Sequence, residues 1–74
     1  MIIFTEHALL KLKQRGIKKD LVLETLKKPE RVLLSRNDRE IALKKFGKLY
    51  LKVVFRQEQK NTVVITQHWA GDIK

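Results

Sequence analysis

Through the first 28 residues apolar side chains recur every three or four positions; after Pro29 they recur at every second position. The first period is that of a helix and the second that of a strand, so a helical segment precedes a run of strands. His7 to Arg15 forms one short amphipathic helix in which Ala8, Leu9 and Leu12, with Ile17 just beyond, point toward a core. Thr5 is its expected N-cap, and Glu6 is favourable in the first turn beside the positive helix end. Gly16 suits the left-handed position that closes it. Lys18 to Lys28 predicts a second helix, with Leu21, Val22 and Leu26 inward and Lys19, Leu23, Lys27 and Lys28 outward, stopped by Pro29.

The strands expected next are Arg31 to Arg36, Glu40 to Phe46, Leu49 to Gln57 and Thr62 to Trp69. Their connections are short, at Asn37-Asp38-Arg39, Gly47-Lys48 and Glu58 to Asn61, which predicts an antiparallel meander. Ile2-Ile3-Phe4 is available as an extra edge strand. The fold class is therefore α+β, order (β)ααββββ, with a helical hairpin packed on one face of the meander. Leu49, Leu51, Val53 and Phe55 should face the helices, and Tyr50, Lys52, Val54 and Arg56 the other side. By the same alternation Ile41 and Leu43 are expected inward, with Ala42 and Lys44 outward. In the last strand Val63, Ile65 and Trp69 fall on one face, and Thr62, Val64, Thr66 and His68 on the other. Lys44, Lys52, Arg56, Thr66 and His68 would then share the face away from the helices, with Tyr50 beside them.

Composition narrows the function. Residues 1–74 make a single domain near the lower size limit for unaided folding. Lys and Arg number 17 against 8 Asp and Glu, a formal charge of +9. Such an excess attracts polyanions: RNA, DNA, an anionic membrane surface or an acidic protein. There is no cysteine, and the two histidines have no metal-ligand spacing, so neither a disulfide framework, a zinc site nor any other cofactor is expected. The opening six residues lack the basic start and apolar run of a signal peptide, and no apolar stretch approaches the ~20 residues of a membrane span. A cytoplasmic protein is the expectation.

His7, Lys11 and Arg15, four apart, form one polar row on the first helix. A histidine, a lysine and an arginine in such a row are suited to holding a phosphate. Plainer roles exist for each: His7 can cap a backbone group or pack on Phe4, Arg15 can bond the loop after Gly16 or pair with Glu6, and His68 can simply end a strand.

The run F-T-E-H-A-x-x-K-x-x-x-R-G-I, from Phe4 to Ile17, then a helix ending L-K-K-P-E, resembles an uncharacterised family of small prokaryotic proteins. Its signature is H-A-x-x-[RK]-x-x-x-R-G-I before a helix, a proline and a strand meander. That family is similar to the RelE/ParE-like toxins, of the barnase–EndoU–colicin–RelE group of metal-independent ribonucleases. The resemblance implies a toxin-type domain that binds RNA and cleaves it by acid/base chemistry. By motif the resemblance carries over to His7, Lys11 and Arg15; joined to the strand residues that alternation places on the open face, this makes His7, Arg15 and His68 the candidate catalytic residues, and Lys11, Lys44, Lys52, Arg56 and Tyr50 the candidate nucleic-acid contacts. It also implies an acidic antitoxin-like partner, which the positive charge would suit.

Metal-free RNA cleavage needs a base for the 2′-OH, an acid for the leaving 5′-oxygen and cations for the phosphate. Histidine suits the first two; His7 is the expected base, with His68 or Arg56 as acid or stabiliser. The alternative is a non-catalytic basic module of the same fold that binds nucleic acid or a partner protein. A third reading is a toxin that acts on a protein, as ParE-type toxins act on gyrase. A homodimer through an edge strand is also open, though the sequence names no interface.

Overall fold

The computed structural model describes residues 1–71 and is α+β: two helices lie on a five-stranded mixed sheet. The chain runs β1 (Ile2–Phe4), α1 (Glu6–Gln14), α2 (Lys19–Lys27), β2 (Arg31–Leu34), β3 (Glu40–Phe46), β4 (Leu49–Glu58) and β5 (Asn61–Ala70). Strand order is β1-β5-β4-β3-β2. β2 to β5 form the antiparallel meander that the short connections require. β1 is the expected edge strand, but it runs parallel to β5, which makes the sheet mixed.

Local chemistry sets the boundaries. The Thr5 hydroxyl accepts from the Ala8 N–H at 3.0 Å and donates to the Ile65 carbonyl at 3.3 Å, so one residue both caps α1 and ties it to β5. Gly16 at φ 61° turns the chain out of α1. Asn37 and Asp38, at φ 59° and 60°, are the two central residues of a tight turn closed by the Arg39 N–H donating to the Arg36 carbonyl at 3.2 Å. Positive φ at both centres matches the right-handed twist of the hairpin, and Asn and Asp tolerate it.

The core joins Ala8, Ile17, Val22 and Ala42 to Leu51, Val53, Phe55 and Val64, with Leu12, Leu21 and Leu26 packed around it. Trp69 also lies on this side, edge-on to Phe46 at 6.2 Å. Leu9 departs from the expected inward set: it is 49% exposed. Ala8 already meets β5 there, and on a helix Leu9 points 100° away from it.

The faces of two strands differ from the sequence reading. In β3 they are inverted: Ala42 pairs with Val53 and Lys44 with Leu51, so both lie on the helix side. Ile41 and Leu43, opposite Val54 and Lys52, lie on the open face. The two-residue turn at Gly47-Lys48 sets this register, because it places Phe46 opposite Leu49. In β5 the alternation changes phase at a bulge. Thr66 opposes Val54 and Val64 opposes Phe55, leaving Ile65 as the extra residue. Val64 therefore enters the core and Val63 moves to the open face, while Thr66 and His68 stay on the open face as expected.

Candidate nucleic-acid interface

The open face has an apolar floor and a basic rim. Ile41, Leu43 and Val54 lie along its middle, and Arg31 opposite Leu43 and Lys45 opposite Tyr50 extend it. One ladder row reads Arg31, Leu43, Lys52, His68 across four strands. Adjacent strands are about 4.8 Å apart, so Lys52 and His68 are immediate neighbours. Tyr50 lies one row along, opposite Ala70, and is half-buried. Arg56 lies on the same face, opposite Val63, and its guanidinium is 3.3 Å from the Glu58 carboxylate.

Arg15 completes the cluster from the other layer. β1 pairs only with Thr62 to Val64, so beyond the bulge the outer edge of β5 carries no strand, and α1 runs beside it. There the Arg15 Nη1 donates to the Gln67 carbonyl at 2.8 Å and to the Thr66 hydroxyl at 3.3 Å. The guanidinium thus reaches round the sheet edge to the open face. Its Nε and Nη2 make no hydrogen bond among the described residues. Gln67 anchors the same helix from below: its buried side-chain amide donates to the Ala8 carbonyl at 2.8 Å. Two bonds through one residue of β5 fix α1 where Arg15 must start.

His68 records the result electrostatically. Partial burial holds its pKa below the ordinary 6.5, and the charges of Lys52 and Arg15 push it the same way. Arg15, Lys52, Thr66 and His68 therefore form one cluster in which a neutral imidazole sits among cations.

The remaining candidates are distributed differently. Lys44 is on the helix face, where its ammonium donates to the Lys28 carbonyl at 3.2 Å and lies 4.0 Å from Glu24; it belongs to the packing of α2 and not to the interface. Trp69 is likewise unavailable for stacking on the open face. Lys11 donates to Gln14 at 3.0 Å on the α1 flank that carries Arg15. His7, one turn earlier, is exposed and makes no hydrogen bond among the described residues, and nothing joins it to His68 or Arg56. Among the described residues no three metal-ligating side chains converge, and no helix is long and apolar enough to cross a membrane.

Lys45 escaped the sequence reading although counting back from the Gly47-Lys48 turn places it, and Arg31 follows from its pairing with Leu43 across the next turn. The approach of Arg15 to Thr66 had no sequence signal, because it depends on where β1 stops.

No curated protein and no solved structure matches the chain. A family profile does match, over residues 4–66, a span that takes in the last residue of β1, both helices, β2 to β4 and part of β5. The chain belongs to the family described as "Domain of unknown function (DUF4258)".

Proposed function

We propose that this chain is a RelE/ParE-like, toxin-type domain that binds single-stranded RNA across the open face of its sheet and cleaves it without a metal. The observation that carries the reading is the Arg15 guanidinium, turned over the β5 edge onto Thr66 beside His68 and Lys52. Two cations and a hydroxyl around one point suit a phosphate. The Arg15 fork presents donors that its protein contacts leave unused. Tyr50, one row away, offers a ring to a neighbouring base.

In the proposed reaction neutral His68 takes the 2′-OH proton as the 2′-oxygen bonds to phosphorus. Arg15 and Lys52 balance the added charge on the phosphate. The P–O5′ bond breaks, the 5′-oxygen takes a proton from the Lys52 ammonium, and a 2′,3′-cyclic phosphate remains. This moves the base from His7, which is exposed and makes no hydrogen bond among the described residues, to His68. Lys11 and His7 extend the basic track along α1. In the toxin reading an acidic antitoxin-like protein would cover the same face.

The test is incubation of purified protein with a short single-stranded RNA in EDTA, beside His68→Gln, Arg15→Ala and His7→Ala. The expected result is cleavage that survives EDTA, falls at least about a hundredfold in His68→Gln and persists in His7→Ala. Binding without cleavage in the folded wild type leaves the non-catalytic basic module. Neither binding nor cleavage refutes the reading.

A further inference from the structure

The sheet ends at β2, and among the described residues nothing covers that end. All four of its residues are exposed, among them Val32 at 48%, Leu33 at 37% and Leu34 at 86%. An apolar edge strand with no proline, bulge or lysine invites another strand. The surrounding charge also differs from that of the molecule. Residues 30–40 hold Glu30, Asp38 and Glu40 against Arg31, Arg36 and Arg39, so this segment is neutral and the +9 lies elsewhere. A second copy meets no net repulsion here.

The opposite edge is a poorer template. β1 has three residues, and Lys19 sits 5.0 Å from the Phe4 ring. Two copies joined there would bring like charges together.

We propose that two copies of this chain join edge to edge through β2, antiparallel about a two-fold axis at Leu33, forming one ten-stranded sheet. The register follows from side-chain complementarity. A dyad at Leu33 sets Val32 opposite Leu34 twice, on the helix side, and Glu30 opposite Arg36 twice. A dyad at Val32 would instead set Lys28 opposite Arg36 and Glu30 opposite Leu34. A register between the two residues would put the helices of the copies on opposite faces of the sheet. One Glu30 carboxylate oxygen accepts the Lys45 N–H of β3 at 2.8 Å, and the other makes no hydrogen bond among the described residues. With the dyad normal to the sheet, both open faces lie on the same side. The basic surface of the dimer is then continuous. A four-residue edge makes a small interface, so the dimer is weak and forms reversibly.

The absence of native cysteine gives a clean test. Directly opposed residues have Cα atoms ~4.5–5.5 Å apart, within disulfide range. Leu33→Cys should therefore oxidise to a covalent dimer at least about tenfold faster than Val32→Cys, Leu34→Cys or the exposed control Leu49→Cys. Sedimentation of the wild type over roughly a hundredfold concentration range should show mass rising toward twice 8.8 kDa. Leu34→Lys should abolish that rise while leaving the thermal transition in place. Leu33→Cys cross-linking no faster than Leu49→Cys would overturn the proposal. So would fastest cross-linking at Val32→Cys, a wild type monomeric throughout, or a dimer indifferent to Leu34→Lys.

Discussion

His68 is the residue on which the electrostatics of the open face converge. Its depressed pKa makes a signed prediction. Between the ordinary 6.5 of an unfolded histidine and the lower value in the fold, the unfolded chain binds more protons. Stability from this group is therefore present above pH 6.5 and lost as pH falls through the folded value. Denaturant titrations of wild type and His68→Gln should agree near pH 8 apart from a constant offset. Below pH 6.5 the wild type alone should carry this group's loss, so the difference between them should change. Arg15 makes a second prediction. A lysine cannot hold the Gln67 carbonyl and present a planar fork to a phosphate. Arg15→Lys should weaken RNA affinity about fivefold or more, roughly 1 kcal/mol, read by fluorescence anisotropy. At this scale the sequence was informative about types and less so about neighbours. Arg15, Lys52 and His68 were candidates from their spacing and charge. The meeting of Arg15 with His68 depends on how α1 meets the β5 edge, which no local pattern encodes.

At the scale of elements, turns and bulges decide which side chains share a face. Both helices, with Thr5 and Gly16 at the ends of the first, and all four meander strands could be read from periodicity. The faces of β3 could also have been read, since a two-residue turn fixes parity; alternation alone misled because Ile41 and Leu43 are as apolar as a core strand would be. The bulge at Ile65 was not legible, because Val63, Val64 and Ile65 are apolar in either phase. It has a consequence for stability. Deleting Ile65 would remove the extra residue and leave plain alternation, with Val64 still opposite Phe55 on the helix side and Thr66 still opposite Val54 on the open face. The deletion variant should keep a cooperative thermal transition, lowered by loss of the Thr5 bond to the Ile65 carbonyl. By contrast Gly16→Ala meets no neighbouring atom and costs only the positive φ, about 1 kcal/mol by chemical denaturation.

For the whole molecule, charge and topology act together. A sheet with helices on one side leaves the other free, and β1 stopping at Phe4 opens the edge round which Arg15 passes. Arg15, Arg31, Lys52 and Arg56 then gather on that open side. If those four each meet a phosphate, the logarithm of RNA affinity should fall with the logarithm of salt with a slope of about −3. A basic surface acting without a defined face would instead have every lysine contributing alike to that slope.

That difference sets the most direct test. Lys44 and Lys52 occupy adjacent strands one row apart and differ in face. Lys44→Gln and Lys52→Gln remove the same charge from the same molecule. Affinity for a short single-stranded RNA, measured at fixed salt, should fall about tenfold in Lys52→Gln and less than about twofold in Lys44→Gln. Equal losses in the two variants, or a larger loss in Lys44→Gln, would contradict recognition on the open face.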